Sequence, residues 1–317
     1  MKRYGLCLAL ACVSFLRAES IEPNQSMHAA GASNRFVNQE AQASETNDNS
    51  KSARLPAEVP AAVIDRQGML QFQRREFAPA LGTFNRSLDL YRLANDSKGE
   101  SQVLTRIAMS YEAMGQRHRS LDSLFLALTV QKRIGDKQGE ATSLSEIGNI
   151  YRVWRSPTET LRYLKTALQI CKALPDGPFK ARIFNQAGMT YFDLQDYKKA
   201  LRYYLPALEM YREAGDELGA TAVLNNIGAA HNGLRHFHDA LKVLTQANSY
   251  AMRTGDDELL AIVFSNTGFS HTRLRNTQEA RQSYREALAG FKRTGDWEHQ
   301  SDMIFRLGRL ESSSRKK

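Results

Sequence analysis

Six aspartates recur every 40 residues along this chain: Asp96, Asp136, Asp176, Asp216, Asp256 and Asp296. Glycine keeps the same interval at Gly68, Gly148, Gly188, Gly228, Gly268 and Gly308, with Ala108 in the remaining place. A fixed period of this length marks one supersecondary unit copied and stacked, each copy burying its apolar face against the next. Such units spend their residues on neighbour packing and on an extended binding surface, seldom on a catalytic constellation.

The unit spanning 221–260 shows what is repeated. Leu224, Ile227, Gly228 and His231 fall on one helical stripe. After a break near Arg235 and His236, Ala240, Leu241, Leu244, Ala247 and Tyr250 fall on a second. No run alternates with period two, so each unit reads as a helical hairpin. Gly228 and Ala240 are predicted to face each other inside the hairpin, where larger side chains would push the helices apart. Ala127, Ala167, Ala207, Ala247 and Ala287 are predicted to do the same between units. The pairs Gly135-Asp136, Gly215-Asp216, Gly255-Asp256 and Gly295-Asp296 separate the hairpins. Glycine takes the left-handed conformation at a helix C-terminus, and the aspartate caps the helix that follows.

These spacings resemble the tetratricopeptide repeat. Leu224, Ile227, Gly228, His231, Ala240, Leu244 and Ala247 match its consensus positions, as do Phe184, Gly188, Tyr191, Ala200, Tyr204 and Ala207 one unit earlier. The usual repeat has 34 residues. The longer period, the Gly-Asp junction and the string Leu224-Asn225-Asn226-Ile227-Gly228 resemble the 40-residue subclass found in kinesin light chains, spindle-orientation scaffolds and bacterial signalling proteins. The resemblance implies a right-handed, all-α solenoid: six hairpins over 60–295 and a lone C-terminal capping helix over 297–311. That helix carries Glu311 where five preceding units have Tyr or His, and its polar end is expected to shield the last apolar face. Pro206 is expected to bend its helix or free a carbonyl. Pro175-Asp176-Gly177-Pro178 replaces one Gly-Asp junction and should alter that joint.

The solenoid is expected over 60–312, with a flexible tail over 313–317. Ahead of it, Lys2 and Arg3 precede an apolar run over 4–16 and the small Ala18, the layout of a cleaved secretory signal peptide over 1–18. The run is too short for a permanent bilayer anchor. Lipidation at Cys12 is the weaker alternative, because Ala9, Leu10 and Ala11 fit a lipobox poorly. Residues 19–59 are rich in Asn, Gln, Ser, Ala and Glu, and read as a disordered linker. The mature chain is therefore expected to be exported, periplasmic or secreted, with no integral membrane segment.

The formal charge is +9. Without Lys2, Arg3 and Arg17 the 43 basic side chains become 40 against 34 acidic ones, a modest excess spread over many helices. It suits acidic partners, but no basic stripe interleaved with aromatics appears, so nucleic acid is not expected as a partner. Cys171, the one cysteine beyond the leader, reads as a small core residue. His231, His236 and His238 come nearest to a metal cluster. His231 occupies a packing position, His236 and His238 sit at the turn, and neither a cysteine nor a well-placed carboxylate is evident to complete a site. No phosphate loop, nucleophile elbow or Cys/His pair occurs. No cofactor, no metal and no catalytic residue is expected.

The face opposite the packed stripe remains. In the fifth unit it runs through Asn225 and Asn226, and a step of 40 either way brings Asn185 and Asn266. Gln186, Arg182, Met189 and Phe192 join it from the fourth unit, Phe269 and Arg273 from the sixth, and Asn149 and Arg152 from the third. Asparagine and glutamine offer both a donor and an acceptor to a peptide backbone, arginine grips carboxylates, and Met and Phe supply apolar pockets. In the resembling family, asparagines at first-helix positions matching Asn226 and Asn266 hold bound peptides. The expected function is a non-enzymatic adaptor that binds a peptide or protein, acidic or extended, in its concave groove. The alternatives are the regulatory part of a caspase-like peptidase system, for which this chain has no room after the closing helix, and a self-assembling envelope scaffold.

Overall fold

The computed structural model describes residues 60–314, and among them there are thirteen helices and no strand. The expected leader, the linker, Cys12 and residues 315–317 lie outside the described residues. The first three hairpins are α1 (Ala61–Gln73) with α2 (Phe77–Leu93), α3 (Ser97–Ala113) with α4 (Arg117–Ile134), and α5 (Lys137–Val153) with α6 (Pro157–Cys171). The next three are α7 (Pro178–Asp193) with α8 (Tyr197–Glu213), α9 (Glu217–Gly233) with α10 (Phe237–Thr254), and α11 (Asp257–Arg273) with α12 (Thr277–Thr294). A single helix, α13 (Trp297–Ser314), follows and runs three residues past its expected end. Consecutive helices pack antiparallel along the whole array, which makes it an all-α solenoid of hairpins.

Capping explains the punctuation. The carboxylates of Asp96, Asp136, Asp216, Asp256 and Asp296 each accept a hydrogen bond from the backbone N–H three residues on, at 2.8–3.1 Å. This satisfies a donor that the first helical turn would otherwise leave unpaired. Asp176 does not cap. It pairs instead with Lys180 Nζ at 2.7 Å, while Gly177 precedes α7 and Pro178 opens it. The α6–α7 contact is accordingly the thinnest between neighbouring helices. Left-handed residues occur at Gly135, Gly215, Gly255 and Gly295, as the Gly-Asp pairs predict. The same conformation recurs inside the hairpins, at Gly115 and, with no glycine to mark it, at Arg75, Arg155, Gln195, Arg235 and Arg275.

The stripe glycines sit where larger side chains would collide with the facing helix. A Cβ at Gly228 would lie 2.6 Å from Leu244 Cγ, and Cβ atoms at Gly68 and Gly268 would stand 2.6 and 2.7 Å from the rings of Phe84 and Tyr284. At these three glycines the nearest group is the large residue sixteen positions on, whereas Gly148 faces the backbone oxygen of Thr160, the counterpart of Ala240, at 3.5 Å. Ala240 and the inter-unit alanines are fully buried all the same. α8 runs unbroken through Pro206, which lies with Arg202 on the exposed side, where water can take the carbonyl that proline leaves unpaired.

The closing helix also departs from expectation. Met303 and Leu310 seal it onto Phe291 and Ala287 of α12. Its other face leaves Ile304 58% and Phe305 60% exposed, with Trp297 also in solvent. Nothing lies within 4 Å of where a Cβ on Gly308 would stand. α13 has the form of a first helix, and Glu311 does not shield this face from water.

Candidate functional site

Each first helix contacts the first helix of the next hairpin from α1 to α11, whereas no second helix contacts the next second helix to comparable extent. The array therefore bends with its first helices on the inside. The coil returns far enough that the Arg75 guanidinium, in the first hairpin's turn, comes within 3.6 Å of Glu258 in α11. Burial raises the Glu258 carboxyl above its usual range, and Arg75 only partly offsets this.

The polar residues expected to line the inner wall bond mostly to one another. Asn226 Nδ2 donates to Asn185 Oδ1 at 2.9 Å, and Asn266 Nδ2 donates to Asn225 Oδ1 at 2.8 Å. Asn232 Nδ2 reaches the backbone oxygen of Asn266 at 3.4 Å, and Ser270 Oγ donates to Asn232 Oδ1 at 2.8 Å. Ser145 Oγ donates to Gln186, which also reaches Glu146 at 3.3 Å. Arg152 bonds Asp193 at 2.7 Å and its own neighbour Asn149, and Arg106 bonds Asp65. Six of these nine join residue i to i+40 or i+41. They form a ladder between adjacent first helices, a consequence of setting the same polar position side by side in successive copies.

Burial corrects the sequence reading here. Asn185, Asn225, Asn226 and Asn266 are all buried, as are Met189 and Phe192, so these six do not present an open face. Helix faces 40 residues apart in the chain are adjacent in space, and the inner curve brings them close enough to cover one another. Asn149, Arg152 and Gln186 are half-exposed and already bonded.

What remains open is a smaller set. Arg182 is exposed and only loosely paired, 3.9 Å from Glu146. Arg273 is exposed over the Phe237 ring at 5.4 Å and pairs with no carboxylate among the described residues. Met109 is exposed and Phe269 half-buried. Glu112 continues the Met109 stripe. Burial pushes its carboxyl above the usual range, with Arg117 3.8 Å away pulling the other way. Its two oxygens accept no hydrogen bond.

The histidines are rearranged too. His231 and His236 come together with Asp239, a carboxylate that sequence reading overlooked, while His238 stays outside the group. The signal was available, since Asp239 follows His236 by three residues at a helix start and so shares its face. Burial lowers the His231 pKa, with Asp239 pulling the other way. Cys171 is fully buried as expected, and burial pushes its thiol pKa up. No described helix is long and apolar enough to cross a membrane.

The architecture defines a solenoid of helical hairpins. The tetratricopeptide-repeat family model matches residues 139–213 and 179–250, and this part of the chain is built of tetratricopeptide repeats. No curated protein matches the sequence. Among solved structures, the Rap protein complexed with competence and sporulation factor is similar in fold, with TM-score 0.61 and 15% identity over 83% of this chain and 78% of that one. A signal transduction ATPase with a tetratricopeptide-repeat sensor from Pyrococcus horikoshii aligns with TM-score 0.60 and 18% identity, over 77% of this chain and 37% of that one. Aspartyl phosphate phosphatase F from Bacillus subtilis aligns with TM-score 0.58 and 13% identity, over 80% and 70% respectively.

Proposed function

We propose that the protein is an exported, non-enzymatic adaptor that holds an extended, acidic segment of a partner along its inner wall. The observation carrying this reading is the set of side chains that the ladder leaves uncommitted. Arg182 and Arg273 offer guanidinium groups to carboxylates, and Met109 and Phe269 offer apolar contact beside them. The near-return of the coil at Arg75 and Glu258 favours an extended segment over a globular domain, because a slim chain fits inside one turn of a solenoid. A protein of the same fold has been seen complexed with the competence and sporulation factor, which supports a partner-binding role for such an array. Export rests on Lys2, Arg3, the apolar run and Ala18.

A photo-crosslinking residue placed at Met109, Arg182 or Arg273 tests the proposal in extract from the native source. Those positions are expected to capture a common partner, and a matching residue at Leu205 on an outer helix is expected to capture none. Capture at Leu205 alone would move binding to the outer surface. Arg182→Glu and Arg273→Glu should each weaken the captured partner about tenfold or more, by replacing attraction with like-charge repulsion.

Self-assembly is the second reading, favoured by the uncovered Ile304 and Phe305 of α13. Light scattering distinguishes the two. A concentration-dependent dimer mass that Phe305→Asp abolishes supports self-assembly, and a monomer mass at all concentrations removes it.

A further inference from the structure

The fifth hairpin carries a group of side chains that the wall does not use. His231 lies near the end of α9, His236 at the N-cap of α10, and Asp239 in the first turn of α10. One potential ligand atom from each lies within 4.8 Å of the other two. The two imidazole rings are 6.1 Å apart, and the His236 N–H donates to the His231 backbone oxygen at 2.9 Å, which holds both residues across the turn. His231 Nδ1 is buried and makes no hydrogen bond. A buried polar atom without a partner is costly unless something completes it.

The other hairpins serve as internal controls. At the same three positions they carry Tyr111, Gln116 and Arg119; Tyr151, Ser156 and Glu159; Tyr191, Asp196 and Lys199. None of these sets has two nitrogen ligands and a carboxylate. The sixth hairpin keeps a histidine, His271, but follows it with Asn276, whose Nδ2 stands 3.4 Å from His271 Nδ1. There the ring nitrogen has a protein neighbour. Only in the fifth hairpin is that neighbour replaced by a second imidazole, with a carboxylate beside it.

We propose that His231, His236 and Asp239 bind one divalent ion of the zinc class, clamping the turn of the fifth hairpin. Two imidazoles and a carboxylate are a donor set suited to zinc, nickel or copper, with water completing the coordination. Tetrahedral zinc with ligands at about 2.0–2.1 Å brings its donor atoms to roughly 3.3 Å of one another. The trio is wider than this by a margin that side-chain rotation closes, because His236 and Asp239 are exposed and free to turn. His231 supplies the fixed end. The ion joins the end of one helix to the start of the next, and its open positions face solvent at the edge of the hairpin.

Zn²⁺ alone, titrated by calorimetry into the full chain lacking any histidine tag near neutral pH, tests this. One ion per chain is expected, together with a higher unfolding temperature when zinc is present. His236→Ala and Asp239→Asn should each weaken binding at least about tenfold, the lower end of what perturbing a metal site does. Both lie on the surface, and unchanged helicity would confirm that folding is intact. His238→Ala should leave binding unaltered. No measurable zinc binding to the wild type would overturn the assignment, as would wild-type affinity in His236→Ala or loss of binding in His238→Ala.

Discussion

Phe291→Ala is expected to lower the free energy of unfolding by about 3–5 kcal/mol, the usual cost of removing a fully buried phenylalanine ring. The ring is completely buried at the end of α12, between Ala261 of α11 and Met303 of α13, and stacks on His299 with centroids 4.8 Å apart. Its backbone oxygen accepts from Asp296 N at 2.9 Å and Gln300 Nε2 at 3.1 Å, so the turn into α13 is organised around this residue. In a linear array each element is held by its neighbours alone, and α13 packs chiefly on α12. Losing Phe291 should therefore do more than weaken the whole: it should let α13 detach before the rest. Denaturant unfolding followed by circular dichroism would show the loss. Hydrogen exchange should find the amides of α13 exposed earlier than those of α9. A change below about 1 kcal/mol, with α13 still protected, would mean that Trp297, Met303 and Leu310 hold the helix without it.

Asn266→Ala is expected to destabilise the fold by about 1–3 kcal/mol, the penalty for leaving a buried polar group unpaired. Its side chain donates to Asn225 Oδ1, and Asn225 is fully buried with a side-chain nitrogen that makes no hydrogen bond. Without Asn266 the whole Asn225 amide is left without a partner in an apolar setting. The companion variant Asn225→Ala/Asn266→Ala removes both groups and should recover part of the loss, because the desolvation cost of the stranded amide goes with it. Thermal and urea unfolding of the single and double variants would measure this. A wild-type midpoint for Asn266→Ala would show that the ladder bond adds nothing to stability and would return Asn266 to the list of groups available to a partner.

The fold was legible because its information is periodic. Gly228, Leu244 and Ala247 recur at equivalent places in other units, and every recurrence repeats the same local requirement, so errors at single positions average out. The Asp caps at residues 96, 136, 216, 256 and 296 were readable for the same reason, since an N-cap bond reaches only three residues along the chain. Left-handed turns at Arg155, Gln195 and Arg235 were not readable, because a backbone forced by its hairpin accepts residues that local preference would avoid.

The inner wall was legible in position and misread in exposure. Residue spacing correctly placed Asn185, Asn225, Asn226 and Asn266 away from the Leu224 and Ile227 stripe, on the side where first helices meet. Whether that side is open depends on the distance between helices 40 residues apart, which follows from the curvature of the array and cannot be read within one repeat. His231, His236 and Asp239 differ, since all three lie in one hairpin and their spacing alone could have grouped them at its turn. Sequence alone determined the hairpin, its period, its caps and its packed stripe, because those are short-range interactions written out in every copy. Tertiary structure alone decided which polar side chains bond to their counterparts in the next copy, which of them stay uncommitted, and that α13 carries an uncovered apolar face. Those outcomes depend on how successive copies are stacked, and stacking is a long-range property that no single repeat contains.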